Sequence, residues 1–170
     1  AKYRNIDFGA WGNWGGVRRT GFEYNWARSG ATAESMIADG QHTGLAEQIK
    51  AGKIDYAIIF IGANDFHSWN GTYEEVYSGK LSDKQLQAKI DGIVSNITLA
   101  VDILQAAGNV KIVLTNYSDP NASADFLLSY PEKNKRQRIS DAIIQIDKRL
   151  AELASDRGLI LADLYNVSSI

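Results

Sequence analysis

Cysteine is absent from the 170-residue chain. Disulfide scaffolds, thiolate zinc sites, iron–sulfur clusters and cysteine nucleophiles are therefore excluded, while the redox compartment stays open. Histidine is almost as scarce, with His42 and His67 the only two. Charge of one sign is lacking too: 18 basic against 20 acidic residues leave a formal charge of −2. That balance gives no reason to expect a nucleic-acid or acidic-membrane partner. The longest strongly apolar runs, such as 56–61, hold about six residues, against roughly twenty for a bilayer crossing, so no transmembrane segment is predicted. No apolar leader is visible, since Ala1-Lys2-Tyr3-Arg4 runs into a glycine-rich stretch. The chain opens without methionine, as expected of a processed product or a piece of something longer.

What is present is ordinary for a globular domain: 45% apolar and 22% charged residues, in a length that suits one domain. Residues 1–22 carry five glycines with Trp11 and Trp14 and no apolar periodicity, which reads as an irregular segment. The glycine spacing fits neither the dinucleotide fingerprint nor the phosphate loop. Strand-like and helix-like signals then alternate. Tyr24 to Ala27 reads as a short strand, and Ala33 to Ala38 and Leu45 to Ala51 as helical pieces broken near Gly40. The run 56–61 reads as a strand covered on both faces. Ser82 with Gln85 three positions on forms a capping box. Leu86, Ile90, Ile93, Ile97, Val101 and Leu104 then mark one helix face that stops near Gly108. Val110 to Leu114 reads as a second buried strand. Pro131 suits the first turn of a last long helix with Ile139, Ile143, Ile146, Leu150 and Leu153 on its apolar stripe, and Leu159 to Leu164 as a closing strand. Strands alternating with long amphipathic helices predict an α/β fold, a parallel sheet with helices on both faces.

In such sheets ligands bind in loops beyond the carboxyl ends of the strands. Two segments occupy that position here, Ser29-Gly30-Ala31-Thr32 and Gly62-Ala63-Asn64-Asp65. In this order and at successive strand ends they resemble the second and third blocks of the SGNH or GDSL family of serine hydrolases. The resemblance runs from about Tyr24 to Asn166. It implies a three-layer α/β/α fold with a mainly parallel, flavodoxin-like sheet. It also implies an esterase or lipase-like acyl hydrolase with no metal and no organic cofactor, acting on a small-molecule or polysaccharide ester. An attacked ester carbonyl gathers negative charge on its oxygen, and fixed donors stabilise that charge. By the resemblance those donors are the backbone N–H of Gly30 and the side-chain amide of Asn64. Family habit favours an extracellular location.

The chain departs from the family at two blocks. No Gly-Asp-Ser occurs anywhere in it, and no Asp-x-x-His pair stands near its C-terminus. In the family the serine-bearing first strand lies between the second and third strands, and its loss would leave unpaired backbone in the middle of the sheet. The expectation is a single domain, 1–170, incomplete at both ends, with the nucleophile and the His/Asp pair outside it. The alternative is a non-catalytic module on the same fold, holding a carbohydrate or acylated ligand. A third reading is a flavodoxin-like binder of a cofactor or phosphate. His67, three positions after Asn64, is expected to be a loop or rim residue and His42 a helix-boundary residue. Trp26 is expected to pack internally. Trp69, Tyr73 and Tyr77 follow the Gly-x-Asn-Asp segment and are candidates either for an active-site rim or for packing.

Overall fold

The computed structural model describes residues 23–168, so the glycine-rich stretch with Trp11 and Trp14 lies outside the described residues. The elements are α1 (Ala33–Ala38), α2 (Gln41–Lys50), β1 (Tyr56–Ile59), α3 (Thr72–Tyr77), α4 (Asp83–Ala107) and β2 (Lys111–Thr115). A 3-10 turn at Pro120–Ala122, α5 (Ala124–Ser129), α6 (Lys133–Arg157), β3 (Ile160–Ala162) and α7 (Leu164–Ser168) complete the order. The three strands make one parallel sheet in the order β1-β2-β3. Ala57 lies opposite Ile112, Ile59 opposite Leu114, and Leu114 opposite Leu161. Helices supply the crossovers that parallel neighbours require, so the fold is α/β as the alternation predicts.

The long helices form where their caps and stripes place them. Ser82 and Gln85 satisfy each other's backbone N–H at the start of α4, and Gly108 follows its last residue. Ile90, Ile93, Ile97, Val101 and Leu104 of α4 are buried, as are Ile139, Ile143, Ile146, Leu150 and Leu153 of α6. By length and composition α4 is apolar enough to cross a membrane. Its stripe, however, sits in the shared core, and its other face pairs Asp91 and Asp102 with Arg149 and Arg157 of α6. It is an amphipathic core helix.

Three expectations need correction. Tyr24 to Ala27 is not a strand, because its polar groups are engaged by α2 rather than by a neighbouring strand. Gln41 donates to the Trp26 carbonyl at 2.6 Å, Gln48 donates to the Glu23 carbonyl at 3.0 Å, and the Trp26 indole N–H donates to Gln48 at 2.8 Å. Pro131 precedes the N-cap Glu132 instead of entering α6. The Arg136 guanidinium holds the Tyr130 and Pro131 carbonyls, and Glu132 N–H donates to the Tyr77 hydroxyl, which keeps this segment out of the helix. The strand in 56–61 is covered on one face only among the described residues. Ala57 and Ile59 are buried, whereas Tyr56, Ile58 and Phe60 are 65%, 73% and 64% exposed. Ile160, beside Val113 on the same side of the sheet, is also exposed.

Trp26 packs as expected, its ring against Gly44 of α2. A Cβ at Gly44 would come within 2.1 Å of that ring. Gly44→Ala is therefore expected to destabilise the protein by about 1–2 kcal/mol despite alanine's better helix propensity. Thermal denaturation checks this, and an unchanged or raised Tm would contradict the packing.

Candidate active site

The glycine turn comes first. Ala31 N–H donates to the Arg28 carbonyl at 3.2 Å, closing a four-residue turn with Gly30 at its third position. Gly30 has φ +76°, the left-handed value that a type II turn needs there. It is exposed, and among the described residues nothing lies within 4 Å of where a side chain would sit. Thr32 then caps α1: its hydroxyl accepts from Ser35 N–H at 3.0 Å while Ser35 Oγ accepts from Thr32 N–H at 2.9 Å.

The second turn leaves the carboxyl end of β1. Asp65 N–H donates to the Gly62 carbonyl at 2.9 Å, and Gly62 has φ +101°. This turn is tied to the first by two side chains. Asn64 Nδ2 donates to the Ala31 carbonyl at 2.9 Å, and Asp65 Oδ2 accepts from Ala33 N–H at 2.7 Å. Residues 30 and 64, far apart in sequence, are thus brought to one corner, with the Asn64 amide bonded to the residue after Gly30. A primary amide has two protons, and the Ala31 bond uses one. Asn70 braces the turn further by donating to the Asn64 carbonyl at 2.7 Å. Burial raises the Asp65 carboxyl, opposed by the Ala33 N–H bond.

Acidic and phenolic groups lie at the same end of the sheet. Tyr117, two residues past β2, places its hydroxyl end against Gly62, where a Cβ would stand 2.2 Å from the oxygen. Its backbone N–H donates to Asp147 Oδ1 of α6 at 2.8 Å. Burial pushes Asp147 up to about 7, the Tyr117 N–H bond pulling the other way and the Asp163 carboxylate adding to the rise. Burial likewise raises the Tyr117 phenol, with the charges of Asp65 and Asp147 contributing. Past β3, Asp163 accepts from the Asn116 amide at 2.9 Å, and that bond, with help from Asn166, holds its carboxyl below the usual value. The Asp65, Tyr117 and Asp147 contacts had no signature in the sequence. Only their positions just beyond strand ends, or on the helix packed there, could have flagged them.

Among the described residues neither histidine ring is hydrogen-bonded to this corner. His42 is buried on α2 with Nδ1 3.3 Å from the Met36 carbonyl. His67 is exposed, stacked on Tyr73 at 5.6 Å between ring centroids, and its Nδ1 accepts from Trp69 N–H at 3.3 Å. Tyr73 is buried among Phe66, Phe126 and Tyr130, and the Tyr77 ring packs on Tyr130, so these two are packing residues. Trp69 is 60% exposed, so core packing does not account for it. Among the described residues no group of three or more His, Asp or Glu side chains is placed to hold a metal ion.

A groove of about 960 Å³ runs along β1, between it and residues 23–28. Asp55 C=O accepts from Lys111 N–H on the β2 side. Alternation along a strand therefore turns the N–H and C=O groups of Tyr56 and Ile58 toward the groove. The groove reaches Ala31 and Ile61, next to the Gly30–Asn64 corner. Gln41 and His42 line it, and Gln41 Oε1 is buried without a partner among the described residues.

Comparison with curated proteins finds no match. The model of the GDSL-like lipase/acylhydrolase family matches residues 6–169, a span that holds both turns and begins ahead of Tyr24. The chain belongs to this family, whose general chemistry is the hydrolysis of acyl esters.

Proposed function

We propose that the protein is a serine-type hydrolase of carboxylic esters in which the Gly30 N–H and the second amide proton of Asn64 hold the oxyanion. The nucleophilic serine and its His/Asp partners are supplied from outside residues 1–170. The observation that supports this reading is the Asn64–Ala31 hydrogen bond of 2.9 Å, which ties the Asn64 side chain to the residue after Gly30. In the reaction the serine oxygen adds to the ester carbonyl carbon, and the carbonyl oxygen takes the negative charge toward the two donors. The alcohol then leaves with a proton from histidine, and water releases the acid from the acyl-serine. The groove beside β1 supports a second part of the proposal, that a further strand of the domain lies along this edge and carries the serine to the corner. The substrate proposed is a small-molecule or polysaccharide ester.

A second reading, a binding module without a nucleophile, is favoured by the placement of the histidines, neither of which is bonded to the corner. One experiment separates the two. A fluorophosphonate probe is expected to modify a single serine of the full-length protein, located by peptide mass mapping. No modification would leave the binding module.

A further inference from the structure

The Gly62–Asp65 turn is tied to α1 by Asn64 and Asp65, and a third contact reaches it from the side of β2. Tyr117 is 5% exposed, and its hydroxyl end abuts Gly62 so closely that only glycine fits there. That hydroxyl is buried and has no hydrogen-bond partner among the described residues. A buried donor without a partner lowers stability, and phenylalanine would fill the same ring space without it. The oxygen is therefore not explained by packing of the core. It stands instead against the turn that carries Asn64.

We propose that the Tyr117 hydroxyl is a positioning group for that turn, a spacer against Gly62 that sets how far Asn64 stands toward the oxyanion. The inference rests on the oxyanion role proposed for Asn64. With the oxygen removed, Gly62 can settle toward the ring, and the Asn64 amide moves with it while still bonded to Ala31. Donor placement is sensitive on this scale, because a 1 Å displacement is enough to cost about a hundredfold in rate. A partial shift is expected to cost about tenfold.

Tyr117→Phe tests this against p-nitrophenyl acetate. The expected result is a kcat about tenfold lower with KM unchanged, together with a Tm equal to or above that of the wild type. Lower activity with equal or higher stability is the signature of a positioning group. A merely structural tyrosine would lose both together, and that outcome overturns the proposal, as does wild-type kcat. Independently of turnover, the side-chain amide resonances of Asn64 are expected to shift in Tyr117→Phe, and unmoved resonances also overturn it. Asn64→Ala run in parallel keeps the two inferences apart. If that variant is impaired and Tyr117→Phe is not, the spacer role alone fails. If it turns over normally, the oxyanion assignment fails.

Discussion

Replacing Asn64 by alanine in the full-length protein is expected to lower kcat by about 10²–10³, the usual loss when one oxyanion donor is removed. KM should change little, because the donor meets a charge that exists only in the transition state. The substitution also deletes the bond to the Ala31 carbonyl. A bond of that kind contributes about 1 kcal/mol, so a small fall in Tm is expected alongside. The effect on turnover exceeds anything that loss of stability would produce well below the melting range. Steady-state kinetics on a simple ester, with Tm measured on the same samples, distinguishes the two contributions. Turnover near that of the wild type would remove Asn64 from the mechanism.

The second large effect concerns pH. Asp147 is buried, one oxygen accepting from Tyr117 N–H and the other without a partner among the described residues. Its carboxyl titrates near 7 in the folded protein against an ordinary value of 3.8. Between these values the folded state keeps a proton that the unfolded chain has released. Stability therefore falls as pH rises through this window, by roughly 4 kcal/mol in all, and levels off above the folded value. Asparagine at 147 still accepts from Tyr117 N–H and never ionises. Asp147→Asn is expected to match the wild type near pH 4 and to exceed it at pH 8. Comparing the two proteins by denaturant unfolding isolates this group from Asp91 and Asp163, whose lowered values act in the opposite direction. Parallel pH dependences for the two proteins would show that Asp147 stays ionised in the fold.

Local signals recovered the elements whose cause is local. The Ser82–Gln85 box and Gly108 bracket α4 within the sequence itself, and the isoleucine stripe of α6 needs only its own period. The two turns were equally readable, since Gly30 and Gly62 each stand where a positive φ is required. Elements set by distant partners were not readable. Tyr24 to Ala27 has strand-like composition, but Gln41 and Gln48 of α2 take its polar groups. The helix α3 starts after Gly71 inside a polar, aromatic stretch whose rings find Phe126 and Tyr130 only in three dimensions. At the candidate site, sequence pointed to Gly30 and Asn64 but not to what holds their turns. Asp65 reaches Ala33 across a span that holds α1, α2 and β1, and Tyr117 reaches Gly62 from just past β2.

The strand order has a consequence for how the protein folds. Each strand of β1-β2-β3 lies beside the one before it in sequence, so residues 56–162 gain their sheet by stepwise additions with modest loop closures. The segment 23–50 adds no strand to this sheet among the described residues, and it meets the turn after β1 through the Asn64 and Asp65 bonds. The Gly30–Asn64 corner is thus a seam where the segment before β1 clasps onto the turn that follows it. Hydrogen exchange should find the Ala33 amide opening more readily than the amides of β2, because releasing the clasp leaves the sheet intact.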